Sequence, residues 1–227
     1  MAIVSVRGLT RDYHQGEHTV HALRGVSLDI EPGEFTVLMG PSGSGKSTLL
    51  NLIGGLDKPT AGSVKIEGAD LASMTPAERS DLRRDRLGFI FQAYNLIPVL
   101  TAAENAEFVL QLQGKPSDDR RARAMETLEV VGLKGMEGRR PNELSGGQQQ
   151  RVAVARAIAG DPALVLADEP TANLDSTTSD ELIATMKHLN TEYGVTFVFA
   201  THDPKVMEAA QRVVRLVDGE IAEDTRA

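Results

Sequence analysis

Within residues Gly40-Pro41-Ser42-Gly43-Ser44-Gly45-Lys46-Ser47 stand three glycines, a lysine and a hydroxyl at the spacing of a phosphate-binding loop. Glycines let successive backbone N–H groups turn toward one anion, and a helix beginning at the end of the loop adds its partial positive charge. Lys46 can then reach the outer phosphates of a nucleoside triphosphate, and Ser47 can ligate Mg²⁺. The run Phe35-Thr36-Val37-Leu38-Met39 reads as a buried strand entering the loop. Thr48-Leu49-Leu50-Asn51-Leu52-Ile53 reads as the helix leaving it, with Thr48 still close enough to touch the nucleotide. A nucleoside triphosphate is the first ligand these residues imply.

A second chemical feature is Ala163-Leu164-Val165-Leu166-Ala167-Asp168-Glu169-Pro170, an apolar strand ending in two carboxylates. Adjacent carboxylates at the end of a buried strand need a task, because burial penalises their charge. Asp168 can hold Mg²⁺ directly or through water, and Glu169 is placed to orient and deprotonate an attacking water. The competing reading is that the pair caps the next helix.

These groups need a scaffold, and the chain divides into three sections. Up to about residue 30, apolar residues alternate with polar ones around a turn near Gln15-Gly16, which predicts a small antiparallel β-layer. From Phe35, strand candidates at 63–67, Leu87–Phe91, 164–167 and 195–200 alternate with helices, the pattern of an α/β protein with a parallel core sheet. Between Gln92 and Leu144 strand signals vanish, and Ala122, Met125, Leu128 and Val131 recur three apart, as on the packed face of a helix. The expected organisation is one domain over 1–227, with residues 1–91 and 146–227 forming the α/β core and 92–145 an inserted helical subdomain. Asp218-Gly219 predicts a terminal hairpin.

With no cysteine, disulfides and thiolate metal sites are excluded, so a metal would sit on oxygen ligands. The net charge of −8 argues against a broad nucleic-acid surface, leaving only a local basic string at Arg83-Arg84-Asp85-Arg86. Apolar runs too short to span a bilayer and an N-terminal stretch unlike a signal peptide point to the cytoplasm.

The string Leu144-Ser145-Gly146-Gly147-Gln148, followed by the helical Gln149-Gln150-Arg151-Val152-Ala153, completes a motif series that resembles the ATP-binding-cassette (ABC) family of transport ATPases. Physically it is another anion site, since the Ser145 hydroxyl and N–H groups at a helix start suit a terminal phosphate. The resemblance implies the P-loop NTPase fold, ATP and Mg²⁺ as ligands, and a signature at Ser145, Gly146, Gly147 and Gln148 that faces the nucleotide of a second copy. One loop and one signature per chain make an ATP-sandwiched two-fold dimer the expected assembly.

Four more positions match the family's motifs residue by residue. Gln92 matches the glutamine that contacts Mg²⁺ and the lytic water, and His202 the histidine that senses the γ-phosphate. Asp175 matches the loop crossing the dimer interface, although by itself it could cap the helix starting at Ser176. Tyr13 matches the aromatic that stacks on adenine, with a packing role as its alternative. The stretches 52–62 and 91–105 look like the group of lipoprotein-releasing (LolD) and macrolide-exporting (MacB) ATPases, in which the cassette works with a membrane permease at the cytoplasmic face of the inner membrane. An ATP-switched signalling module without cargo, like division-associated relatives, is the alternative; a soluble cassette acting on DNA or ribosomes fits the acidic composition less well.

Overall fold

The computed structural model describes residues 2–16 and 18–226. In chain order the elements are β1 (Val4–Gln15), β2 (His18–Ile30), β3 (Phe35–Met39), α1 (Lys46–Ile53), β4 (Ala61–Ile66), β5 (Ala69–Asp70) and α2 (Pro76–Arg86). Then follow β6 (Leu87–Phe91), α3 (Ala102–Leu112), α4 (Ser117–Val130), α5 (Gly146–Ala159), β7 (Leu164–Asp168) and α6 (Ser176–Tyr193). The chain closes with β8 (Phe197–Ala200), α7 (Pro204–Ala209), β9 (Arg212–Val217) and β10 (Glu220–Arg226).

Two sheets result. The order β2-β1-β4-β5 makes an antiparallel layer, and β10-β9-β3-β8-β7-β6 makes a sheet that is parallel except for β10. The strand expected at 63–67 for the parallel sheet is instead β4, paired antiparallel to β1 through Val4↔Ile66 and Val6↔Val64. An apolar alternation announces a strand but not its partner, and this one buries Val64 and Ile66 against β1 and α1 rather than against a βαβ neighbour.

Alternating side chains of the parallel strands feed two separate cores. Val165 and Ala167 pack toward α3, α4, α5 and α6, while Leu164 and Leu166 pack toward α1 and the antiparallel layer. Phe35, Phe197 and Phe199 form one aromatic cluster, with centroids 4.5 to 5.7 Å apart. Burying each such ring contributes about 2–3 kcal/mol. The helical stripe on α4 is Ala124, Thr127, Leu128 and Val131; Ala122 and Met125 are exposed. A strict three-residue spacing drifts around a 3.6-residue helix, so the buried face follows the three-and-four rhythm instead. The guanidiniums of the basic string are engaged internally: Arg83 with the Gly55 carbonyl, Arg84 with Asp81 and Asp85, Arg86 with Glu67. Among the described residues, no helix is long and apolar enough to cross a membrane.

On β9, beside the edge strand β10, Arg212, only 6% exposed, donates to both carboxylate oxygens of Asp224 at 2.7 and 2.8 Å and to the Asp29 carbonyl of the other layer. The Arg212 guanidinium holds the Asp224 carboxyl below the usual carboxylate range, against the opposing effect of burial. A depressed carboxylate stabilises the fold above its unfolded pKa, and that stabilisation disappears as pH falls through the folded one. Asp224→Asn is therefore expected to lower unfolding free energy by about 1–2 kcal/mol at pH 7 and by much less near pH 3, read from urea melts at both pH values. An equal loss at both would assign the effect to packing.

Candidate functional site

In a mostly parallel sheet, ligands sit beyond the carboxyl ends of the strands. Here register aligns those ends: Leu38 stands opposite Ala200, Ala200 opposite Asp168, and Asp168 opposite Phe91. The residues that follow β3, β8 and β6 are the phosphate loop, Thr201-His202 and Gln92, while β7 itself ends at Asp168 with Glu169 next, so one edge collects all four. They border a cleft of about 680 Å³ lined by Tyr13, Val20, His21, Ala22, the whole loop from Gly40 to Thr48, Gln92, Glu169, Ala172 and His202.

The loop is shaped for an anion. Gly40, Gly43 and Gly45 take φ of 150°, 79° and 100°, values that side chains disfavour. Helices α2, α3, α5, α6 and α7 are capped by Thr75, Thr101, Ser145, Asp175 and Asp203. In contrast, α1 has Gly45 at its cap, no capping side chain and no acidic residue in its first turn. Its free N–H groups and its dipole are left for an external acceptor. Ser44 is buried, and its Oγ has no hydrogen-bond partner. A buried hydroxyl without a partner costs about 1–3 kcal/mol, which a phosphate oxygen would relieve. Lys46, 9% exposed, folds back to donate to the Gly40 and Pro41 carbonyls at 2.8 and 3.0 Å.

Ser47 Oγ donates to Asp168 Oδ1 at 2.8 Å, joining two of the three residues expected at Mg²⁺. Burial pushes the Asp168 carboxyl up; the Ser47 hydrogen bond opposes this, the Glu169 charge adds to it and Lys46 opposes it again. A hydroxyl, a carboxylate and the Gln92 amide at the cleft rim form a hard oxygen donor set that fits Mg²⁺, which keeps waters and takes few protein ligands.

Glu169 sits at φ 45°, a left-handed conformation rare for a residue with a side chain. Its carboxylate is held at both oxygens: Thr201 Oγ1 donates to Oε2 at 2.9 Å, and His202 Nδ1 is 2.8 Å from Oε1. The backbone N–H of Glu169 donates to the Ala200 carbonyl at 2.8 Å, tying the residue to β8. Thr201, fully buried, passes unnoticed in the sequence because a threonine between an apolar strand and a histidine carries no distinctive signal. Val20, His21 and Ala22 on the cleft wall were equally illegible, since only the β1–β2 register (Asp12↔His21, Tyr13↔Val20) brings them there.

The signature lies elsewhere. Ser145 accepts from the Gln148 N–H, and Gln148 Oε1 accepts from the Ser145 N–H, so the two close the N-terminus of α5 on each other. Ser145, Gly147 and Gln148 border a separate hollow of about 220 Å³ that shares no residue with the phosphate cleft. A Cβ on Gly147 would overlap Thr178 of α6, and one on Gly146 would meet the Tyr94 hydroxyl. Asp175 caps α6 by accepting from the Thr178 N–H and hydroxyl, and it too is outside the cleft. Gln150, absent from the sequence-level site, is buried and donates to the Pro170 carbonyl at 2.8 Å, linking the signature helix to the residue after Glu169.

Residues 23–172 match the protein-family model described as ABC transporter. Over 226 residues the chain is 46% identical to the macrolide export ATP-binding/permease protein MacB of Mannheimia succiniciproducens, covering all of this chain but 35% of that protein. It is 46% identical to the ABC transporter ATP-binding protein MJ0796 of Methanocaldococcus jannaschii, covering 99% of this chain and 97% of the other. A solved dimer of MJ0796 in a post-hydrolysis state, bound to ADP and Pi, superposes with a TM-score of 0.90 at 45% identity, covering 98% of each chain. The chain thus spans about a third of the MacB relative and nearly all of the archaeal cassette. With the loop, strand-end carboxylates and signature in place, the chain belongs to the ABC transporter family, as an ATP-hydrolysing cassette of its LolD/MacB-like group.

Proposed function

We propose that this cassette binds MgATP at Tyr13, the 40–48 loop, Gln92, Asp168, Glu169 and His202, forms a two-fold dimer around it, and drives a membrane permease of the lipoprotein-release or macrolide-export type from the cytoplasmic face. The observation that carries the reading is the separation of the phosphate cleft from the signature hollow within one chain. Each is half a site. A two-fold partner would bring its signature N–H groups and Asp175 loop to the nucleotide of the first copy, which agrees with the dimeric MJ0796 structures.

In this reading the α1 N-terminus, Ser44 and Lys46 hold the β and γ phosphates, Lys46 leaving its two carbonyl partners to do so. Ser47, Asp168 and Gln92 hold Mg²⁺, whose charge offsets that developing on the phosphates. Glu169 accepts a proton from the attacking water, and Thr201 and His202 fix the direction of its carboxylate. Residues 92–145 form the helical subdomain that transmits closure. Its hinge with the core includes residues 94 and 95, both at positive φ, whose carbonyls accept from Arg156 at 2.9 and 2.5 Å.

The permease contact fits a groove of about 470 Å³ between β6 and α3, where Phe89, Phe91, Ile97 and Phe108 line an apolar trough. Leu56 and Leu112 at its rim are 47% and 55% exposed. The test is recovery of tagged Glu169→Gln protein with MgATP from detergent-solubilised native membranes. A polytopic protein with a large extracytoplasmic domain is expected, and Leu112→Glu is expected to reduce its recovery at least tenfold while isolated-cassette ATPase stays within twofold. Recovery of only soluble proteins would remove the permease reading.

A further inference from the structure

The nucleotide cleft has a support behind its base-side wall. Tyr13 lines the cleft, and its hydroxyl donates to Asp57 Oδ2 at 2.8 Å. Asp57 lies just past the C-terminal end of α1, 44 residues along the chain from Tyr13. Arg11, two residues before Tyr13, donates from Nη2 to Asp57 Oδ1 at 3.0 Å, and its guanidinium carbon sits 4.3 Å from the Tyr13 ring centroid. A second ion-pair contact joins Arg11 Nε to Asp57 Oδ2 at 2.9 Å, although the N–H is not aligned for a hydrogen bond. Neither Arg11 nor Asp57 borders the cleft. Arg11 therefore covers one face of the ring and, with Asp57, ties it from outside the cleft lining.

We propose that Asp57, with Arg11, is a positioning residue for nucleotide-base recognition: it locks the Tyr13 ring so that one face is preformed for a planar purine. The inference rests on the nucleotide reading of the cleft and extends it to a residue that touches no ligand. Tyr13 sits near the tip of the β1–β2 hairpin, three residues before the Gly16 turn, where backbone pairing alone restrains a side chain poorly. A ring free to rotate would have to be immobilised on binding, and fixing it beforehand removes that cost. The same carboxylate also accepts from the Lys58 N–H at 2.7 Å, which anchors it to the chain leaving α1. Burial opposes ionisation of Asp57, but donation from Lys58, Tyr13 and Arg11 outweighs it and holds the carboxyl below the usual range. One short segment thus serves both ends of the nucleotide: the start of α1 faces the phosphates, and the residue after its end steadies the wall for the base.

The test compares affinities for MgATP and for inorganic tripolyphosphate, which shares the phosphate end and lacks the base. Asp57→Ala is expected to weaken MgATP about tenfold while leaving tripolyphosphate within twofold, and to raise KM with kcat unchanged. Tyr13→Phe, which keeps the ring and removes the hydroxyl, is expected to fall in the same direction, and the double variant to be no weaker than Asp57→Ala alone. Asp57→Asn, which keeps an acceptor for the hydroxyl, should recover most of the affinity. Should Asp57→Ala not fold, Tyr13→Phe and Asp57→Asn decide. Unchanged MgATP affinity in Tyr13→Phe and Asp57→Ala, or equal weakening of both ligands, overturns the proposal; failure of the unaltered protein to bind MgATP would instead overturn the nucleotide reading beneath it.

Discussion

A Glu169→Gln variant is expected to bind MgATP as the unaltered chain does, to lose hydrolysis by about 10²- to 10⁴-fold, and to accumulate as a dimer. The amide matches the carboxylate in size and keeps an oxygen and a nitrogen at the positions where Thr201 and His202 now engage Oε2 and Oε1. The local backbone, at φ 45° and bonded to the Ala200 carbonyl, is unaffected by the exchange. Binding groups on the loop are untouched, so affinity survives. What disappears is a group able to take a proton from water, because an amide is not basic near neutral pH. With products formed far more slowly, the ATP-bound closed state persists. Phosphate release and light scattering at saturating MgATP read the two consequences separately. An unimpaired rate would remove Glu169 from the chemistry, and a monomer under those conditions would count against the shared-site dimer while leaving the chemistry standing.

Gly40→Ala is expected to destabilise the fold by about 3 kcal/mol or more and to abolish nucleotide binding in whatever fraction folds. At φ 150° the position disfavours any side chain, and a Cβ there would overlap the Leu216 carbonyl of β9 and stand 2.6 Å from Ser44 Oγ. Relief requires β3 and β9 to part, although they pair from Thr36↔Arg212 to Met39↔Arg215, or the loop to swing outward. Either movement spoils the arrangement in which Gly40 and Pro41 carbonyls face Lys46 and the α1 N-terminus stays open. Gly43→Ala serves as the comparison: its added Cβ meets nothing within 4 Å, so only the strain of φ 79° applies, and about 1 kcal/mol is expected. Thermal melts of the two variants beside MgATP titrations separate the contributions. Equal stability for both would mean that the loop relaxes freely at Gly40.

The phosphate loop was legible in the sequence because its demands are local. Positive φ at Gly40, Gly43 and Gly45 is a requirement on individual residues, and an anion-binding helix start needs only what it lacks, a capping side chain and an acidic first turn. Strand-end carboxylates at Asp168 and Glu169 were legible for a similar reason, since an apolar run that terminates in two charges states its own exception to burial. Strand existence was legible through alternation, but partnership was not. The strand at Ala61–Ile66 joined the antiparallel layer because β1, already paired with β2, offered its second edge to it. The packed face of α4 was misjudged by one step around the helix, since periodicity alone does not say which stripe a neighbour covers.

Sequence by itself determined the ligand class and the α/β class and nominated the phosphate, carboxylate and signature segments, all of which depend on residue type over short spans. Only tertiary structure decided which groups meet. Register across β3, β8, β7 and β6 brought Leu38, Ala200, Asp168 and Phe91 into one row and so assembled a single cleft from segments more than a hundred residues apart. It also left the signature in a separate hollow and placed Asp57 and Arg11 against Tyr13. Long-range contacts of this kind arise from burying two faces of one sheet at once, a condition on the whole chain that no local pattern of residues records.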